Sequence, residues 1–147
     1  MTQHLSDAER FLRLKRFFNS RDRLCKCLGI EVTDIGHGTA STRMVIEEKH
    51  LNGADVVQGG AIFTLADLAF GAACNSHGTL ALGVNASIAF TRPGISGSLT
   101  AFARETAAAG PLSTYVAEVK DDSGQTIATF QGTAYRKRDK IDLSAWG

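Results

Sequence analysis

Asp67 is the residue whose surroundings most clearly suggest chemistry. It is the one charge in residues 61–76, Ala-Ile-Phe-Thr-Leu-Ala-Asp-Leu-Ala-Phe-Gly-Ala-Ala-Cys-Asn-Ser. Wound as a helix, that stretch is apolar on nearly every face, and Asp67 has Phe63, Thr64, Phe70 and Gly71 three and four residues away. A carboxylate among apolar side chains is costly unless paired or hydrogen-bonded, and desolvation raises its pKa. That setting suits a nucleophile or general base in a dry site. It also suits a carboxylate that caps a loop amide or pairs with a distant basic residue. Gln58-Gly59-Gly60 stands just before the same helix. A helix N-terminus presents free N–H groups and partial positive charge, which can polarise a carbonyl or hold an oxyanion. Glycine there lets a ligand approach the backbone closely.

Gly59 and Asp67 are eight residues apart, roughly 12 Å along a helix. One reacting carbon cannot sit ~3 Å from both within one chain. If both act on one substrate, they come from different chains. Two such helices, side by side and antiparallel, would give two equivalent sites per dimer.

The rest of the sequence has to position these groups. Ser6-Asp7-Ala8-Glu9 has capping-box spacing, and Phe11, Leu12, Leu14, Phe17 and Phe18 follow at roughly helical intervals, predicting an amphipathic helix over 6–28. Residues 29–46 read as two short strands around the turn Gly36-His37-Gly38, and 49–60 as a loop. The apolar helix follows, buried all round by a sheet wrapped about it, with a partner subunit able to cover the rest. Over 80–91, Leu80, Leu82, Val84, Ala86, Ile88 and Phe90 alternate with Asn85, Ser87 and Thr91, predicting one long strand with the apolar set on one face. Residues 98–106, 113–120 and 126–136 read as three more strands, separated by Ala109-Gly110-Pro111 and Asp121-Asp122-Ser123-Gly124. Short turns make neighbouring strands antiparallel, so the expectation is an α+β domain over 1–147 with an antiparallel sheet wrapped around a central apolar helix.

Composition narrows the class. The chain has 147 residues, 44% apolar, with 16 basic and 15 acidic residues for a net charge of +1. No charge excess points to nucleic acid or an anionic membrane as partner, and no apolar run approaches the ~18 residues of a span. The N-terminus is polar and charged, unlike a secretory signal. Cys25, Cys27 and Cys74 form no disulfide framework, and they read as reduced thiols of a cytoplasmic protein. His37, His50 and His77 have no metal-site spacing; His50, beside the loop, reads as a surface or packing residue.

The run His50-Leu51-Asn52-Gly53-Ala54-Asp55-Val56-Val57-Gln58-Gly59-Gly60-Ala61-Ile62-Phe63-Thr64-Leu65-Ala66-Asp67 closely resembles the signature of hotdog-fold acyl-CoA thioesterases, most of all the PaaI-type group of phenylacetate degradation. The resemblance extends through Ala72-Ala73-Cys74-Asn75-Ser76 and Ile88-Ala89-Phe90-Thr91-Arg92-Pro93-Gly94. It covers a shared core of about 28–137, leaving the N-terminal helix outside.

The resemblance implies roles. Asp67 matches the catalytic carboxylate that attacks the thioester or activates water. Gly59 matches the glycine whose N–H polarises the thioester carbonyl, with Gly60 beside it. Asn52 matches a loop Asn that positions nucleophile and substrate. Gln58 stands where the family commonly has His. Gln hydrogen-bonds but does not titrate near neutral pH. Thr64, Asn85 and Ser87 are candidates for the hydroxyl or amide that some relatives set opposite the nucleophile. Arg92, Arg136, Lys137 and Arg138 are candidates for the phosphates of coenzyme A. Phe63, Phe70, Leu82 and Phe90 are candidates for pocket or core. The resemblance further implies a homotetramer made of two hotdog dimers, an aryl- or small acyl-CoA substrate, water as co-substrate and no metal or redox cofactor. A hotdog hydratase or dehydratase, which pairs His with a carboxylate, and a non-catalytic acyl-CoA sensor are the alternative readings.

Overall fold

The computed structural model describes residues 4–147. Met1, Thr2 and Gln3, the first residues of the expected domain, lie outside the described residues. The first helix, α1 (Asp7–Arg21), opens where the capping spacing places it, with the Ser6 hydroxyl accepting from the Glu9 N–H at 3.2 Å. Glu9 does not complete the box but pairs with Arg13 one turn on. The expected single helix over 6–28 is broken at Asp22. That residue leaves helical geometry and its carboxylate caps a second helix, α2 (Arg23–Leu28), accepting from Cys25 N–H at 3.0 Å. Gly29 ends α2 in the left-handed region at φ 71°.

Six strands follow, all antiparallel: β1 (Ile30–Gly36), β2 (Thr39–Val45), β3 (Thr79–Phe90), β4 (Ser98–Ala109), β5 (Leu112–Lys120) and β6 (Thr126–Lys140). Their order in the sheet is β1-β2-β4-β5-β6-β3. Between β2 and β3 runs α3 (Gly59–Asn75), and the sheet curls around it. The core is the inner face of the sheet (Val32, Met44, Leu99, Tyr115, Val119 and Phe130) closed on Leu65, Ala66, Ala69, Phe70 and Ala73 of α3. Phe70 packs edge-on to Tyr115 and tilted against Phe130. Its ring fills the space a side chain at Gly132 would need, 2.9 Å from the position of a Cβ there. Two buried polar groups next to α3 are answered: Thr42 Oγ1 donates to the Leu65 carbonyl, and Asn75 exchanges hydrogen bonds with Ala81 N–H and C=O, whereas Arg13 Nε and Thr79 Oγ1 are buried without a partner among the described residues.

Three expectations need correction. Within one copy the helix α3 is not buried all round: Gly60 and Asp67 are exposed, and Phe63, Thr64 and Gly71 only half-buried, because one sheet covers one side of a helix and leaves the rest open to a partner. In β3 the apolar set does not share a face. The register slips between Gly83 and Asn85, a bulge at Val84. Ala81 and Gly83 face α3 before the bulge, and Ala86 and Ile88 after it, so Leu82 points outward and is exposed. The last strand does not stop near Arg136. It continues to Lys140, because Thr79 at the start of β3 supplies a partner.

The two sheet edges differ. Along β1, α1 lies against the strand and Asn19 exchanges two hydrogen bonds with Val32, accepting from its N–H at 2.7 Å and donating to its carbonyl at 3.0 Å. That shields the edge. The other edge, β3, is twelve residues long and pairs on its outer side with no strand among the described residues.

Candidate active site

Gln58 is the residue before α3, in extended geometry, and its side-chain oxygen turns back to accept from Gly60 N–H at 3.2 Å. Ala61 and Ile62 N–H are taken by the Gln58 carbonyl. The Gly59 N–H is the amide of this first turn that finds no acceptor among the described residues. A Cβ on Gly59 would lie 3.0 Å from the Phe90 ring, so glycine there lets the strand end close over the helix start. Both glycines belong to the helix's first turn rather than preceding it.

Two cavities flank this N-terminus. One, about 340 Å³, is lined by Val56, Val57, Gly59, Ile62, Phe90, Thr91, Arg92 and Pro93. The other, about 560 Å³, is lined by Leu24 and Leu28 of α2, Lys49, His50, Leu51, Asn52 and Gly53 of the loop, and Gln58, Gly60, Ala61 and Thr64 of α3. The sequence-predicted residues therefore divide: Gly59 and Arg92 share the smaller cavity, and Asn52, Gln58, Gly60 and Thr64 share the larger. Asn52 folds its loop, its side-chain oxygen accepting from Ala54 N–H at 2.9 Å and Val56 N–H at 3.4 Å. Thr64 donates to the Gly60 carbonyl at 2.8 Å, which leaves its oxygen able to accept.

Asp67 lines neither cavity. It stands two turns further along α3, on the stripe Gly60, Thr64, Asp67, Gly71 that the sheet leaves uncovered. Its carboxylate is exposed, where burial was expected, and it has no hydrogen bond or ion pair among the described residues. Neither the pairing nor the loop-capping alternative is met among the described residues. Desolvation by the surrounding protein, and then the negative charge of Asp22, push its pKa above the ordinary carboxylate value. Continuity of α3 keeps Gly59 and Asp67 ~12 Å apart.

Asn85 and Ser87 are not brought to the site. They pair with Thr133 and Gln131, on the face of the sheet turned away from α3, because the bulge at Val84 reverses the alternation. Arg136, Lys137 and Arg138 lie at the far end of β6, where Ala81 rather than Phe90 is the neighbour, roughly 27 Å from the Arg92 end. Of the four candidates, Phe70 is core, Phe63 packs half-buried on Phe130, Leu82 is on the outer face and Phe90 lines the smaller cavity. His50 is a fully satisfied packing residue. Its Nδ1 accepts from Glu47 N–H at 2.9 Å, which leaves Nε2–H to donate to the Leu28 carbonyl at 2.7 Å. Leu24 and Leu28 escaped the sequence reading, although their spacing of four residues is the signal of a shared helix face. Among the described residues no cluster of three or more His, Cys, Asp or Glu could hold a metal ion.

The sequence model of the thioesterase superfamily matches residues 54–128, the loop, α3 and the strands after it, and the chain belongs to that family. Its fold is the hotdog fold of those enzymes. A protein of Archaeoglobus fulgidus is 40% identical over 125 residues, 84% of this chain and 81% of its own. The acyl-coenzyme A thioesterase PaaI of Escherichia coli is 36% identical over 116 residues, 78% of this chain and 83% of its own. The solved structure of the E. coli PaaI protein, from the phenylacetic acid degradation operon, superposes with a TM-score of 0.80, covering 89% of this chain and 99% of that one.

Proposed function

We propose that this thioester hydrolase acts on aryl-acyl-CoA of the phenylacetyl or hydroxyphenylacetyl kind, or on small acyl-CoA, at sites shared between two copies of the chain. The observation that carries the reading is one helix bearing, among the described residues, an unpartnered N–H at its start and an unpartnered carboxylate eight residues on, too far apart to meet on one carbon. The free edge of β3 supplies the means for a second copy to pair beside it, with the two α3 helices antiparallel.

The thioester carbonyl accepts from Gly59 N–H, where the helix terminus stabilises the oxyanion as it forms. Asp67 of the partner subunit attacks the carbonyl carbon, or takes a proton from the water that does. The C–S bond breaks, and coenzyme A leaves with a proton as its thiol. If Asp67 is the nucleophile, water then cleaves the mixed anhydride. Either course consumes one water and yields a free acid. Asn52 and Gln58 offer side-chain NH₂ groups to the substrate, since their oxygens are held by the backbone. Arg92 meets the phosphates of coenzyme A. Water is the co-substrate and no resident cofactor enters. Two such dimers pair as a tetramer, in the cytoplasm, where the three free cysteines stay reduced.

Thiol release from a panel of aryl- and alkanoyl-CoAs tests this, with wild type and Asp67→Ala side by side. Asp67→Ala is expected to lose at least ~10²-fold in kcat/KM. Full activity in that variant would overturn the mechanism, and the ranking of the panel identifies the acyl class.

A further inference from the structure

We propose that α2 is the wall on which the acyl group rests, and that Leu24 and Leu28 set the size of acyl group accepted. This rests on the thioesterase reading above. Leu24 and Leu28 are one turn apart on α2 and both line the 560 Å³ cavity beside Gln58, Gly60 and Thr64. Between them Cys25 turns the other way and is buried in the core. Leu24 is 59% exposed, an apolar side chain at a cavity that none of the described residues fills.

The wall is fixed. Asp22 caps its start, Gly29 ends it, Lys49 Nζ donates to the Cys27 carbonyl at 2.9 Å and His50 to the Leu28 carbonyl at 2.7 Å. Two of those tethers come from the loop that carries Asn52, so wall and loop form one unit.

Charge decides which end of the substrate lies here. The start of α3 separates the two cavities, so a thioester carbonyl at Gly59 N–H sends its acyl group one way and its sulfur arm the other. Arg92 lines the smaller cavity, and no hydrogen bond or ion pair occupies its guanidinium among the described residues. The cation of the larger cavity, Lys49, is held by Glu47 at 3.1 Å and by Cys27. The phosphate-bearing arm therefore belongs on the Arg92 side, and the acyl group lies between the amides of Gln58 and Asn52 and the apolar wall of Leu24, Leu28 and Leu51.

The test compares wild type, Leu24→Ala and Leu24→Phe on an alkanoyl- and aryl-CoA series, with inhibition by free coenzyme A measured on each. The exposure of Leu24 leaves both variants able to fold. Leu24→Ala is expected to raise kcat/KM for the longest substrates relative to the shortest, by about four-fold for each methylene that reaches the new space. Leu24→Phe is expected to lower the same ratio by about ten-fold. Inhibition by free coenzyme A stays as in wild type. An unchanged ratio, an equal change across the series, or a shift in coenzyme A inhibition would each overturn the wall. Wild type is scored first: release from no thioester at all would overturn the thioesterase reading instead.

Discussion

Asp67 is placed where its charge is useful to chemistry and unfavourable to the fold. Desolvation by the surrounding protein first, and the charge of Asp22 second, raise its pKa in the folded chain. Between the unfolded and folded values the folded state binds more protons, so stability falls as pH rises through that window. At neutral pH the ionised carboxylate is a cost. Asp67→Asn keeps the shape and removes the charge. Its melting temperature is expected above that of wild type at neutral pH, with the gap closing as pH falls below the ordinary carboxylate range, while activity is lost. Equal melting temperatures at neutral pH would contradict the raised pKa. The same shift sets the acid limb of kcat/KM above the ordinary carboxylate value, since the reaction needs the ionised form. Asp22→Asn should move that limb to lower pH, because Asn still caps α2 but carries no charge. A limb that stays in place would mean Asp22 does not act on Asp67.

At the scale of elements, the sequence shows what each segment is better than where it faces. Alternation over 80–91 predicts β3, but a pattern of types cannot show a residue inserted into the pairing, and the bulge at Val84 sends Asn85 and Ser87 away from the site. Gly83 was the available sign. A largely apolar helix announces α3, and only Thr64 and Asp67 mark which stripe stays open, since Gly60 and Gly71 give no polar contrast. The break at Asp22 escaped the sequence reading, because the residue sits inside a run whose apolar spacing continues past it. Gly59 and Asp67 stand out in the sequence by type and spacing, whereas the roles expected of Asn52 and Gln58 came only from the resemblance. Beside the apolar packing of Leu14, Phe17 and Phe18, one amide ties α1 to the edge of β1 by hydrogen bonds, which spacing cannot show. Asn19→Ala removes both its bonds to Val32, with an expected loss of about 2 kcal/mol and a melting temperature lower by roughly 4–8 °C. Thermal unfolding of the two proteins checks this, and an unchanged melting temperature would show that water replaces the amide at no cost.

The whole molecule is asymmetric in a way that a single copy does not resolve. One sheet edge is covered by α1, while the other, β3, is long and open, with Val84 60% and Phe90 52% exposed. The uncovered stripe of α3 carries Asp67. If a second copy pairs there, each site takes its amide from one chain and its carboxylate from the other, and that division has a measurable consequence. Gly59→Pro removes the N–H at the first helical position, where proline is well tolerated, at the price of moving the half-exposed Phe90 ring. Asp67→Ala removes the carboxylate. Each variant alone should lose ~10²-fold or more. Unfolded together and refolded as a mixture, half of the dimers combine one chain of each kind. In those dimers one site carries both defects and the other carries neither. Recovery should therefore approach about a quarter of wild-type activity. Recovery near zero, with mixed dimers verified by mass, would place Gly59 and Asp67 in the same site of one chain, against the ~12 Å that α3 puts between them.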